Sequence, residues 1–406
     1  MDKHYILFTK HILPQKDLAS AVWAAHTANA AANLGYSAVL VYCQPNWKKL
    51  NPIDLIFPFR PRKPDGRLTD FYNIQDRLLV APYPAPWPVD SVKSKLLNAS
   101  TITCKYILPF HMKQSLQIVH TRNWNFAKAA VKNQVPVIYE QHHYEKKAFE
   151  PEIVNNPFFQ VAVTLSDTVM ESMIAKGMPR KKIIQTHSGM NNVFLRRQPK
   201  NAEQWRQKLL GASQKKHLVV YSGGLYRFKG VDLLIEVATH LPELQFVFAG
   251  GKEPQIKEYQ ELTRKHQATN VTFLGYLPQY QLASLLQAAD VLAHPHLSGE
   301  AATFTSPLKF FDYLGSGTPI VLTKIPPLRE FQSANLVAGW CEPDSPIQFV
   351  RAIQEVLAKY PRHSQGYKNN LQFAGQFSCE NRVSRILTRV DESLQAPQVR
   401  FFSETI

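Results

Sequence analysis

Cysteine is scarce in this 406-residue chain, and Cys43, Cys104, Cys341 and Cys379 stand far apart, with no CxxC and no Cys/His cluster. That excludes a disulfide scaffold and a structural zinc site, and points to reduced thiols inside a cell. No apolar run is long enough to span a bilayer. The opening Met1-Asp2-Lys3-His4 has no signal-peptide layout, so a cytoplasmic protein is expected. Asp-x-Asp occurs nowhere, which implies no metal, and the Gly-Lys-Ser/Thr order of a Walker loop is missing too. Acid is also short in the first half. Residues 1–200 hold 26 Lys and Arg against 13 Asp and Glu, whereas residues 201–406 hold 21 against 18. Such a basic half implies an anionic partner. Without a helix-turn-helix, zinc-finger or RNA-binding signature, nucleic acid is not that partner. An anionic membrane surface or a lipid-diphosphate acceptor is the preferred reading, and a solvated basic face the alternative.

What is present is phosphate chemistry. In Ser306-Pro307-Leu308-Lys309-Phe310-Phe311-Asp312-Tyr313-Leu314-Gly315-Ser316-Gly317-Thr318-Pro319, Ser306 suits an N-cap and Pro307 the first helical position. The amides of Leu308 and Lys309 then lack intrahelical partners at the positive end of a helix, a ready phosphate site. Asp312 falls four residues after Leu308 on the same face, within reach of ribose hydroxyls. Gly315, Gly317 and Pro319 are expected to stop that helix before the strand Ile320-Val321-Leu322. A second phosphate signal follows the strand His217 to Val220. In Tyr221-Ser222-Gly223-Gly224-Leu225-Tyr226-Arg227-Phe228-Lys229-Gly230, two glycines permit close backbone approach and Arg227 and Lys229 bring positive charge, before a helix from Val231 to His240.

These segments resemble the GT-B glycosyltransferases of the large retaining family 4, in the subgroup whose donor motif reads Ser-Pro-Leu-Lys-x-Phe-Glu-Tyr. Phe246-Val247-Phe248-Ala249-Gly250-Gly251, Phe273-Leu274-Gly275-Tyr276-Leu277 and Ala289-Asp290-Val291 are similar to further family elements. The resemblance implies an α/β fold of two Rossmann-like doubly wound domains facing across a cleft. It implies donor contacts from Gly223, Gly224, Gly250, Tyr276, Leu277, Thr305, Ser306, Leu308, Lys309 and Asp312, and a catalytic set of Lys229, Arg227, Glu300 and His120. Two departures stand out. Phe304 occupies the place of the family's first donor glutamate, with Glu300 the nearest acid, and Gly224 replaces a customary arginine for which Arg227 is the candidate.

The first half alternates strands and helices, the pattern of a parallel doubly wound sheet. Strands are expected at Tyr5 to Phe8, Ala38 to Tyr42, Gln117 to His120, Val135 to Tyr139 and Val161 to Leu165, with an Ala-rich helix from Leu18 to Leu34. His120 and Arg122 follow one strand, and Glu140 and His142 the next, where open α/β sheets place ligands. Arg122, Glu140 and His142 are therefore the acceptor candidates. Residues 44–116 are proline-rich and are the expected membrane-facing or acceptor-shaping insertion, with Trp47, Phe57, Phe59, Tyr83 and Trp87 and a helix from Val92 to Tyr106 that reads equally as basic and amphipathic or as a plain surface helix. The expected boundaries are a first domain at 1–195, a connection at 196–214, a nucleotide-sugar domain at 215–378, and a closing helix and tail at 379–406 that return to the first domain.

The reaction implied is metal-independent transfer, with retention, of a sugar from a nucleotide-diphosphate donor to a hydroxyl of a glycan or lipid-linked acceptor, without a further cofactor, in the cytoplasm or at the inner face of the membrane. A nucleotide-sugar epimerase of the same architecture and a catalytically silent sugar or lipid binder are the alternatives.

Overall fold

A computed structural model describes residues 3–15, 18–44, 53–84, 99–146, 148–211, 215–304, 308–396 and 399. They divide into two units, one of residues 1–187 and 379–406 and one of residues 188–378.

Seven parallel strands form the sheet of the first unit: β1 His4–Ile12, β2 Ala38–Gln44, β3 Leu79–Pro84, β4 Leu116–Thr121, β5 Val137–Gln141, β6 Phe159–Thr164 and β7 Ile183–Gln185. Their order, β3-β2-β1-β4-β5-β6-β7, reverses direction between β1 and β4. The central strands carry uninterrupted apolar runs, Tyr5-Ile6-Leu7-Phe8 and Ala38-Val39-Leu40-Val41-Tyr42, all buried because both faces are covered. One face carries the helix Ala19–Asn33, whose alanines let it sink fully, with ten of its fifteen residues buried. Against that helix packs Cys379–Leu387, so this closing helix is part of the first unit. On another part of the sheet Phe8 lies between Phe126 and Tyr83 in stacked contact. Tyr83, expected at an interface, is therefore core.

In the second unit six parallel strands follow the same logic: β8 His217–Ser222, β9 Leu244–Ala249, β10 Val271–Gly275, β11 Val291–His294, β12 Ile320–Thr323 and β13 Ala338–Cys341, in the order β10-β9-β8-β11-β12-β13. The direction reverses between β8 and β11, the point at which such sheets bind ligands outside their carboxyl ends.

The boundary lies after residue 187, not 195, and the expected connection at 196–214 is built into the second unit. Met190, Val193 and Phe194 are buried in its core, and the Met190 amide donates to the Phe377 carbonyl at 2.8 Å. Helix Pro199–Leu210 is fastened by Trp205 Nε1 donating to Ser284 Oγ (3.1 Å) and by Arg206 donating to Asp290 (2.7 Å). Gly315 also departs from expectation. It lies inside the helix Leu308–Ser316, where an added Cβ would come within 2.8 Å of Met190 Sδ, so it is a packing glycine. Gly317, at φ 69°, makes the stop.

A buried ion pair fastens the closing helix to the first sheet. Arg382 donates to both oxygens of Glu140, at 2.9 and 2.8 Å, and its Nε to the His187 carbonyl at 2.8 Å. Removing one partner leaves an uncompensated buried charge. Arg382→Ala should therefore cost about 3–5 kcal/mol in urea unfolding of the first unit. A loss well below 1 kcal/mol would show that the pair does not hold the helix.

Candidate active site

In the second unit the site forms where β8, β9 and β11 end. The Gly223 amide donates to the Ala249 carbonyl at 2.8 Å, and the Gly250 amide to the Gly275 carbonyl at 2.6 Å. A Cβ on Gly250 would lie 2.2 Å from the Gly223 oxygen, so the two loops touch backbone to backbone and no other residue fits there. Tyr276 and Leu277 follow the end of β10, both partly buried.

Helix Leu308–Ser316 turns Phe310, Phe311, Tyr313 and Leu314 into the core. Leu308, Lys309 and Asp312 consequently share the partly exposed face. Tyr313 fixes this helix to the glycine loop, because its hydroxyl accepts from the Ser222 amide at 2.8 Å. Lys309 extends beneath the loop, its Nζ 4.1 Å from the centre of the Tyr221 ring and 3.5 Å from where a Gly223 Cβ would stand. Lys229 Nζ rests 5.2 Å from the Tyr226 ring and 5.8 Å from that of Phe228. Neither ammonium has a carboxylate partner among the described residues. Burial lowers both pKa values, that of Lys309 strongly and with a further contribution from Lys229.

His294 and His296, which the sequence reading passed over as site residues, sit at the end of β11 beside these lysines. Their rings stack 6.1 Å apart, and His294 Nδ1 and His296 Nε2 are buried without a hydrogen-bond partner. Both are neutral: burial, then Lys309, lowers His294, while burial brings His296 down to about 4 with Lys309 and Lys229 adding to the effect. The signal was present, since His294-Pro295-His296 closes an apolar strand just as His120 does.

Other candidates lie elsewhere. Arg227 is exposed and lies 3.8 Å from Asp232. Glu300 is exposed at the start of the helix Glu300–Phe304, after a loop tied through Ser298 to Asp344. A Cβ on Gly224 would meet the Tyr226 ring at 2.6 Å, so that ring fills the space a longer side chain needs. Thr305 and Ser306 lie outside the described residues, as does the side chain of Phe304. Among the described residues no group of three or more His, Cys, Asp and Glu is placed to hold a metal ion.

The first unit corrects two expectations. His120 Nε2 and His142 Nε2 donate to Glu140 at 2.7 and 2.6 Å, and the Tyr5 hydroxyl bonds His120 Nδ1. A carboxylate only accepts, so both imidazoles direct their Nε2 protons to it. Burial alone would raise the Glu140 pKa, but Arg382 and the two histidines outweigh it and hold the group well below the usual range. His120 and Glu140 have no appreciable exposed surface and no open valence. They are an internal brace rather than a catalytic group and an acceptor ligand. His142 keeps a sliver of surface and an uncommitted Nδ1, and Arg122 lies 5.4 Å from the Trp23 ring centre.

Residues 201–373 match the family model described as "Glycosyl transferases group 1". Among curated proteins, the alpha-galactosylglucosyldiacylglycerol synthase of Streptococcus pneumoniae is 25% identical over 51% of this chain and 52% of its own length. The D-inositol 3-phosphate glycosyltransferase of Corynebacterium diphtheriae is 25% identical over 65% of this chain and 62% of its own. The matched stretch thus spans only about half to three-fifths of those relatives. The Anabaena protein Alr3699/HepE, solved with UDP and glucose, superposes with a TM-score of 0.67 over 96% of this chain and 100% of its own, at 15% identity, a likeness of fold.

Asp312 generates a test. Burial raises its carboxyl from 3.8 to about 8. The folded protein therefore keeps a proton that the unfolded chain releases from about pH 4 upward, and stability falls as pH rises through that window. In Asp312→Asn this decline should shrink when unfolding is followed from pH 4 to 8, while nucleotide affinity drops about tenfold. An unchanged pH slope would show that the carboxyl is not buried in this way.

Proposed function

We propose that this chain, whose residues 201–373 are a glycosyl transferases group 1 domain and whose architecture is GT-B, is a retaining enzyme. It moves a sugar from a nucleotide-diphosphate donor to a hydroxyl of a glycan or lipid-linked acceptor. The observation that carries this reading is the pair of unpartnered ammonium groups, Lys229 and Lys309, beside the Gly223 loop with Asp312 one turn along the same helix face. As the sugar leaves, negative charge grows on the diphosphate, and two preorganised cations in a partly desolvated site meet it. Asp312 suits the ribose hydroxyls, and the open nitrogens of the neutral His294 and His296 suit sugar hydroxyls. The relatives are named as a synthase and a glycosyltransferase, which supports transfer and gives the epimerase reading no support.

A membrane-associated acceptor fits the first unit. Ile56 and Phe57 are 66% and 55% exposed, beside Asp54, which Arg60 and Arg62 clamp at 3.1 and 2.9 Å. Tyr106 and Phe110 are exposed four residues apart on the segment Thr103–Met112, with Lys105 exposed beside them. Trp47, Trp87 and the start of the expected helix from Val92 fall outside the described residues, and Phe59 packs its edge on His4. Among the described residues no helix is long and apolar enough to cross a membrane. Aromatic rings and cations together favour an anionic interface, each cation adding about 1 kcal/mol.

Lys229→Ala should lower turnover of a nucleotide sugar by about a hundredfold or more, close to 3 kcal/mol of transition-state stabilisation, in a protein that still unfolds cooperatively. Wild-type turnover in that variant would remove the central assignment. Vesicles containing phosphatidylglycerol should bind the protein and lose it as salt is raised, whereas phosphatidylcholine vesicles should not. Equal partitioning on both would favour a soluble acceptor.

A further inference from the structure

Where β1, β4 and β5 end in the first unit stands a guanidinium with no ion pair of its own among the described residues; the leading charge acting on it is Glu140, which is already committed to other partners. Phe8 of β1 stands opposite Thr121 of β4, and Thr121 opposite Tyr139 of β5. The residues just beyond, His11, Arg122 and His142, therefore come out at one edge. Arg122 is largely shielded from water, and among the described residues it makes no ion pair; its guanidinium lies over the Trp23 ring. The carboxylates nearby are Glu140, with both oxygens taken by Arg382 and the two histidines, and the exposed Glu145, which acts on His143 and Tyr139. The histidines nearby are held neutral. Burial, then Lys10 and Arg122, brings His11 down to about 4; burial, then Arg122, brings His142 down to about 3 and lowers His143. Trp23 Nε1 is a further buried donor without a partner.

A guanidinium partly removed from water is costly until an anion pairs with it, and its planar fork fits two oxygens of one oxyanion. Arg122 with the Trp23 Nε1–H beside it offers three donors in one place, more than the two oxygens of a carboxylate take up and suited to a phosphate. We infer that this edge is a phosphate site, with Arg122 as its principal ligand and Trp23 Nε1 as a second donor, and that the acceptor bears the phosphate. Only the word acceptor rests on the transferase reading; the site itself is testable by binding.

Isothermal titration of the whole chain with inorganic phosphate, glucose 6-phosphate and glucose provides the test. Glucose 6-phosphate should bind at least tenfold more tightly than glucose. That preference should vanish in Arg122→Gln, survive in part in Arg122→Lys, and change less than threefold in Lys229→Ala. Thermal unfolding of each variant separates loss of the site from loss of the fold, and the Lys variant decides if Gln does not fold. A preference that persists in Arg122→Gln, or that follows Lys229 instead, overturns the site. Vesicles with and without phosphatidic acid identify the source. Arg122-dependent binding to the former alone assigns a lipid phosphate, and Arg122-dependent binding of glucose 6-phosphate alone a soluble one. If phosphate binds through Arg122 while no nucleotide sugar is turned over, the transferase reading fails and the anion site stands.

Discussion

Two ammonium groups held partly out of water without a carboxylate between them set the terms for the second unit. Lys309 lies over Tyr221, and Lys229 near Tyr226 and Phe228. Aromatic faces attract a cation without neutralising it, so the rings hold the lysines in place and leave their charge available. Burial lowers the pKa of both lysines and Lys229 lowers that of Lys309 further, while burial first and the lysines second keep the neighbouring imidazoles neutral. The cost of this arrangement is offset elsewhere in the same unit. Gly223 and Gly250 bring two loops into backbone contact, and Tyr313 fastens the helix bearing Lys309 to the end of β8. An anion entering between the two lysines would supply the missing negative charge, which is the basis of the diphosphate assignment proposed for this site.

The first unit meets the same problem at its strand ends in two ways. Around Glu140 every valence is filled. Arg382 takes both oxygens, His120 and His142 add their protons, and the Tyr5 hydroxyl completes the chain. A network so saturated contributes rigidity and joins the closing helix to the sheet. Two residues beyond the end of the brace, Arg122 has only a ring to lie against. Residues that looked alike as polar groups after apolar strands thus separate by their hydrogen bonds into a brace and an open cation.

Much of the second unit was legible from sequence because its constraints are local. Paired glycines after an apolar strand, and a Leu-Lys-Phe-Phe-Asp-Tyr run whose apolar members fall on one helical face, specify their own geometry; the helix from Val231 to His240 has the expected bounds. What was missed depends on residues distant in the chain. That Gly315 continues its helix follows from Met190, 125 positions earlier in the chain. That Glu140 is internal follows from Arg382, 242 positions later. Tyr83 looked like an interfacial aromatic until Phe8 was found beneath it. The domain boundary was misplaced because no local pattern marks residues 190–194 as core, whereas burial of Met190, Val193 and Phe194 assigns them to the second unit.

The two departures from the family pattern also acquire a physical meaning, at least at Gly224. A side chain there collides with the Tyr226 ring, the same ring near which Lys229 rests. An arginine at 224 would have to displace the Tyr226 ring from its place near Lys229. Arg227 does not restore what was lost, since it is exposed and turned toward Asp232. The site is left with lysines as its cations, and lysine differs from arginine in the respect that matters here. Arginine stays charged almost regardless of surroundings, whereas an ammonium gives up its proton readily when buried beside another. Positive charge at this site is consequently sensitive to its surroundings: burial lowers the pKa of both Lys229 and Lys309, and Lys229 lowers that of Lys309 further.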